Sequence, residues 1–361
     1  MSRRISGFKP TGPLQLGNYV GAIRPVVRGQ FEQPTVAFIA DLHALTVQHD
    51  PALVQARSRE VAGLLLAAGV DPGTTVLYRQ SDVAAHLELH YLLECVASYG
   101  EAHRMIQFKE KGGGGGSRLS LLTYPVLMAA DILLHDIEEV PVGHDQRQHV
   151  ELTRDLAERF NERYGPTFTV PRAVHPAVAA RIADLAEPTR KMGKTNASTA
   201  GVLFLLDPPD VLRRKVMRAV TDAGTDVVHD PDRRPGVANL LDILGALTDR
   251  DPRTVAGEFT RYGQLKQAVA DAVIDTLEPI RRRYQALTDE DIESVLAAGA
   301  ERAAQHADQT VRRARAALGL GAQKSTHRSA QESGQQSGGL TGERRAPAGS
   351  PATPATAGRP H

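Results

Sequence analysis

The chain has 361 residues, with 43 lysines and arginines against 42 aspartates and glutamates for a formal net charge of +1. That is enough length for two folded units and too little charge for a strongly polybasic nucleic-acid binder, so any RNA contact must come from a local patch. A single cysteine, Cys95 in YLLECVAS, excludes a disulfide framework and a multi-cysteine metal site, and points to a packed thiol in a cytosolic protein. No apolar run follows Arg3 and Arg4, and none approaches the roughly 18 residues of a membrane span, so a soluble, cytoplasmic protein without membrane contact is expected.

In chain order, short β-like runs alternate with longer helical patterns through the first half. Strands are expected at Ile5 to Phe8, Val36 to Ala40, Thr75 to Arg79 and Ile137 to Val142. Helices are expected at Pro51 to Gly69, His86 to Tyr99, Tyr124 to His135 and Gln148 to Tyr164. This alternation predicts an α/β fold with a doubly wound parallel sheet. Ligands bind such sheets at the carboxyl ends of the strands, here GFKPTGPLQLGN, ADLHALT and PVGHDQ. Beyond about Glu187 helical signals dominate, at Pro208 to Thr221, Val255 to Gly263, Gln264 to Leu287 and Thr288 to Leu318. The last has a start signal in Thr288 followed by Asp291. The expected organisation is a catalytic α/β domain over 1–187, a helical bundle over 188–321 and a disordered tail over 322–361, where large apolar side chains are almost absent.

Four segments carry candidate chemistry. Gly7, Gly12, Gly17 and Gly21 surround a strand-to-helix turn, where backbone N–H groups can approach a phosphate; an ordinary glycine-rich turn looks the same on spacing alone. Asp131 is a carboxylate inside the apolar run VLMAADILL and needs a partner, most commonly an arginine. In PVGHDQ, Asp145 either presents a ligand group or caps the helix that follows. RKMGKT, by itself, is a solvated basic loop, and QFKEK precedes the run Gly112 to Gly116, which suits a lid better than rigid scaffold.

Taken together, SGFKPTGPLQLGNYVGAI, DLHALT, QFKEK, LLTYPVLMAADILL, PVGHDQRQHVELTRDLAERFN, RKMGKT and AVTD resemble the ordered motifs of tryptophanyl-tRNA synthetases, from residue 3 to about 320. The resemblance implies a Rossmann-type catalytic domain followed by a helical domain that reads the anticodon, a homodimer, and L-tryptophan, ATP and tRNA(Trp) as substrates, with Mg²⁺ as cofactor and no protein residue assigned as a metal ligand. It implies that Met128 and Asp131 form the indole pocket with Ile5, Gly7, His43, Val140 and Val142, while Tyr124 and Gln146 seat the ammonium end. It implies that Lys9, Thr11, Gly17, Asn18, Gly143 and Asp145 hold ATP. Lys191 and Lys194 then occupy the lysine positions of the mobile KMSKS loop, and Lys194, Lys191, Asn18 and Lys111 are the expected catalytic groups, with Lys109 near them. Arg213, Arg214, Arg312, Arg313 and Arg315 are candidate phosphate contacts for the RNA.

The chain departs from the family pattern at Gly193 and Thr195, where serines are common, at Gln15 in place of the first histidine of HIGH, at Ile5 in place of an aromatic, and at Lys9 in place of glutamine. Lys9 suggests an auxiliary copy tolerant of tryptophan-mimicking inhibitors. Two other readings are a tyrosyl-tRNA synthetase and a paralogue that binds tryptophan without aminoacylating.

Overall fold

A central strand with every residue buried organises the molecule. The computed structural model describes residues 3–105, 118–143, 146–174, 182–193 and 198–321. Strand β1 (Arg4–Phe8) pairs in parallel with β2 (Thr35–Ile39), Ile5 opposite Val36, and β2 pairs in parallel with β3 (Thr75–Arg79), Val36 opposite Val76. A second parallel pair is formed by β4 (Glu139–Pro141) and β5 (Arg172–Val174), and β4 lies alongside β1. The strands therefore run β3-β2-β1-β4-β5 in space, and the order reverses between β1 and β4, the position at which open α/β sheets bind ligands.

The alternation along β2 divides the core. Ala37 and Ile39 face one side, with Phe8, Leu77 and the residues Leu64 and Leu65 of α4 (Pro51–Ala68). Val36 and Phe38 face the other, with Tyr78, Leu89 of α5 (Ala85–Glu94) and Ile132. Successive side chains of a strand point to opposite faces, so a sheet covered on both sides must be apolar at every position. Between β1 and β2 the chain forms a short helix α1 (Leu16–Asn18), a π-helical turn (Tyr19–Ile23) and α2 (Arg24–Gly29); α3 (Asp41–Ala44) follows β2. Local signals set the ends of α4: the Asp50 side chain accepts from the Ala52 amide, Pro51 opens the helix, and Gly69 closes it at φ 109°.

The expected His86 to Tyr99 helix is instead α5 and a separate α6 (Tyr99–His103), because Ser98 and Glu101 form a capping box that starts a new helix. Cys95, expected to be packed, is exposed at the C-terminal cap of α5, with Val96 beside it turned into the core. Further along come α7 (Leu119–Leu133) and α8 (Arg147–Tyr164), then α9 (Pro209–Met217), α10 (Pro235–Thr248), α11 (Pro252–Ala256), α12 (Tyr262–Ala286) and α13 (Asp289–Ala317). The capping box of Thr288 and Asp291 starts α13 as expected. The sequence did not show β5, which is only three residues long, or α10, which is buried nearly all round and so lacks a one-sided apolar period, and the expected Val255 to Gly263 helix is instead the end of α11, a turn and the start of α12. Helix α13 packs against β3, and a Cβ at Gly299 would lie 1.7 Å from the Leu77 carbonyl oxygen, so only glycine admits this approach. Both hydrophobic cores draw on chain from before and after residue 187.

Candidate active site

A cavity of about 580 Å³ opens between β1 and β4. It is lined by all nine residues expected for tryptophan, namely Ile5, Gly7, His43, Tyr124, Met128, Asp131, Val140, Val142 and Gln146, and by Lys9, Thr11 and Gly143 from the ATP set. Gly7 contributes backbone here because a Cβ would stand 2.7 Å from the Phe38 ring, which walls the same space. Phe38, Ala40, Ser6 and Ile132 also line it and escaped the sequence reading; for Phe38 and Ala40 the alternation along β2 was the available signal.

Asp131 is 2% exposed, and its partners are not arginines. Its Oδ1 accepts from Gln80 Nε2 at 2.6 Å and from His86 Nδ1 at 2.7 Å, and its Oδ2 accepts from His43 Nε2 at 2.8 Å. Burial works to raise the carboxyl pKa, but the bonds from His43 and His86 outweigh it and hold the group down at about 2. The pocket thus presents an ionised acceptor inside apolar walls. Beyond His86 the network continues: the Tyr78 hydroxyl lies 2.8 Å from His86 Nε2 and 2.9 Å from His135 Nε2. Burial, with the Asp131 charge adding to it, pushes the Tyr78 phenol well up. Burial, followed by the neighbours His86 and His306, lowers His135 to about 3. Beside His43, whose ring meets Tyr124 edge-on, Tyr124 and His149 Nε2 share a hydrogen at 2.8 Å, and His149 Nδ1 meets Gln146 Oε1 at 2.9 Å, so the two expected ammonium contacts are held by one imidazole. Lys9 reaches Thr46 Oγ1 at 3.2 Å, and that hydroxyl donates to the His43 carbonyl at 2.9 Å, which ties the lysine to the His43 segment.

The glycine-rich turn differs from expectation. The amides it was expected to offer a phosphate are already used: Leu16 N donates to Leu203 O, Gly17 N to the Gln15 side-chain oxygen, and Asn18 N and Tyr19 N to Gln15 O. The Asn18 side-chain oxygen accepts from the Gln15 amide at 3.1 Å. Gly17 and Asn18 do not line the cavity. Gln15 is 4% exposed and does two things at once, capping Gly17 and donating through Nε2 to the Met192 carbonyl at 3.0 Å. It thereby joins the turn to the RKMGKT segment. Within that segment Met192 is buried and bonded to Ile182 O, whereas Lys191 is exposed and stands outside the cavity wall. Asp145, Lys194, Lys109 and Lys111 fall outside the described residues. Four of the candidate RNA-binding arginines already have carboxylate partners: Arg213 with Asp271, Arg214 with Asp210, Arg313 with Asp136 and Arg315 with Glu88. Among the described residues no group of three or more acidic, imidazole or thiol side chains could hold a metal ion, and no helix is long and apolar enough to cross a membrane.

A parallel sheet with its cavity at the strand reversal and an ionised acceptor buried in that cavity are features of a class of enzyme. Residues 2–278 match the family described as tRNA synthetases class I (W and Y), and the chain belongs to this family and is an aminoacyl-tRNA synthetase. Within it, the relatives stand on the tryptophan side. The chain is 55% identical over 328 residues to tryptophan--tRNA ligase 1 of Streptomyces coelicolor, which covers 89% of this chain and 98% of that one. The crystal structure of tryptophanyl-tRNA synthetase from Mycoplasma pneumoniae matches with a TM-score of 0.82 at 34% identity, over 89% of this chain and 98% of that chain. The Campylobacter jejuni enzyme, complexed with ADP and tryptophan, matches with a TM-score of 0.76 at 29% identity, over 88% and 100% of the two chains. The tyrosyl alternative gives way to the tryptophan reading.

Proposed function

We propose that this chain forms tryptophanyl-adenylate from L-tryptophan and ATP in the cavity between β1 and β4, and passes the tryptophanyl group to tRNA(Trp). The observation that carries the assignment of the site is Asp131: an ionised carboxylate that lines the cavity among apolar neighbours and is bonded through Oδ2 to His43 on the same wall. The indole N–H donates to it, Met128 and Val140 flank the ring, and Tyr124 and Gln146 receive the ammonium group. A buried acceptor built for an N–H rejects side chains lacking one by up to about 10⁴ to 10⁵. Lys9, Thr11 and Gly143 take the adjoining end of the cavity for ATP, with Asp145 at the ribose.

The substrate carboxylate attacks the α-phosphorus in line, the bond to the bridging oxygen breaks, and pyrophosphate leaves. Because the first amides of α1 are occupied, charge on the phosphates is offset by the lysines Lys191, Lys194 and Lys111, with Asn18 as a neutral hydrogen-bonding partner; Asn18 and Lys191 stand outside the cavity wall, so the phosphates extend beyond it. Mg²⁺, which the family resemblance implies, would supply further positive charge at the phosphates, and no step is assigned to it. The 2′-hydroxyl of the terminal adenosine then attacks the adenylate carbonyl and AMP leaves. Residues 1–187 carry the tryptophan and ATP site, while 188–321 carry the lysine loop and the anticodon contacts. Leu87 and Tyr91 on one face of α5, with Tyr99 and Leu119, are between 51% and 73% exposed and support a homodimer, checked by light scattering.

The test is ATP–pyrophosphate exchange with tryptophan, tyrosine and phenylalanine in parallel, followed by charging of tRNA(Trp). Exchange and charging with tryptophan alone support the reading. Exchange with tyrosine refutes the substrate, and binding of tryptophan without exchange makes this a non-aminoacylating paralogue.

A further inference from the structure

The side chains behind Asp131 form a continuous buried chain that the proposed chemistry does not use. Gln80 and His86 are fully buried and stand outside the cavity wall, and both donate to Oδ1. His43, on the wall, donates to Oδ2. An ionised carboxylate accepts only, so His86 must present Nδ1–H to it. With Nδ1–H given to Asp131, a neutral His86 accepts at Nε2 from the Tyr78 hydroxyl, whose oxygen in turn accepts from His135 Nε2–H, so the ring is held at both nitrogens. Two donors on Oδ1 and one on Oδ2 fix the rotation of the carboxylate, which leaves Oδ2 with one remaining lone pair.

We infer that His86 and Gln80, and Tyr78 acting through His86, are positioning residues for amino-acid specificity: they lock the Asp131 carboxylate so that a single acceptor direction meets the substrate's ring N–H. The inference rests on the proposed role of Asp131 and names the residues that create its selectivity. It concerns recognition of the side chain alone, so their loss acts on a substrate that carries the N–H and spares one that does not.

The experiment compares pyrophosphate exchange by the full chain with L-tryptophan and with 3-benzothienyl-L-alanine, in which sulfur replaces the ring N–H. His86→Leu removes the donor at similar volume, His86→Asn retains an amide donor near the Nδ1 position, and Tyr78→Phe keeps the ring and its packing while releasing His86 Nε2. In His86→Leu the KM for tryptophan should rise about tenfold, the size of one charge-assisted hydrogen bond, with kcat moving less and the analogue's KM unmoved. Tyr78→Phe should show the same pattern at roughly threefold, and His86→Asn should recover most of the wild-type preference. An equal rise for both substrates, or a wild-type preference that survives in both His86→Leu and Tyr78→Phe, overturns the inference. A wild-type protein with no preference between the two substrates overturns the reading of Asp131 itself, and the inference with it.

Discussion

Replacing Asp131 by asparagine separates the recognition role of this residue from its place in the core. The side chain keeps its shape, and its oxygen can remain where Oδ1 stands, accepting from Gln80 and His86. The new NH₂ group then occupies the Oδ2 position. His43 Nε2 can become the acceptor of that bond by changing tautomer, so the network behind the pocket survives with at most one donor unsatisfied, a loss of about 1–3 kcal/mol in stability. Recognition fares worse. The charge-assisted bond from the indole, about 1.5–3 kcal/mol, is lost, and a donor now faces the indole N–H, leaving it buried and unpaired at a further cost of about 1–3 kcal/mol. The sum corresponds to a fall of about 10² to 10⁴ in kcat/KM for tryptophan, at roughly 1.4 kcal/mol per tenfold. Pyrophosphate exchange read beside a thermal melt gives both numbers. An Asp131→Asn protein that melts near the wild type and retains kcat/KM within about threefold would refute the assignment of the indole acceptor.

Three further outcomes follow from other parts of the structure. Gln15→Glu keeps an acceptor for the Gly17 amide but loses the donor to the Met192 carbonyl. The kcat of exchange should fall about tenfold with little change in KM for tryptophan, as the proposed action of the RKMGKT segment on the phosphates requires, and steady-state kinetics checks this. His135 is held neutral to about pH 3 in the folded chain but takes a proton near its ordinary value when unfolded. Its lowered folded pKa makes the unfolded state bind the extra proton, so stability declines as pH falls through this window, by up to about 1.4 kcal/mol per pH unit from this one group; urea unfolding from pH 7 to 4 should show a shallower decline in His135→Gln. Lys9→Gln, which removes a cation from the cavity wall beside Thr46, should raise sensitivity to a tryptophan-mimicking inhibitor severalfold in exchange assays, and unchanged inhibition removes the case for an inhibitor-tolerant copy.

Much of this protein is local in origin. The strands TVAFI and TVLYR, the capped and glycine-terminated α4 and the start of α13 at Thr288 follow from short-range patterns, and the structure repeats them within a residue or two. The residues proposed for tryptophan came from the family resemblance of their motifs, and the fold gathers them from β1, α7 and β4 around one cavity. What the chain does to Asp131 was not legible. Its expected arginine partner is replaced by His43, Gln80 and His86, which come from three different segments and meet only when the sheet and helices pack. The same holds for the turn at Gln15: spacing alone left its amides available for phosphate, and the approach of Leu203 and Met192, more than 170 residues away, consumes or redirects them. Sequence patterns thus determine which residues stand in helices and strands and which motifs reach the strand ends, since those depend on neighbours a few positions apart. Which groups satisfy a buried charge, and which donors remain for a ligand, is decided by contacts between distant segments, because a buried polar group is paired by whatever the fold brings within about 3 Å.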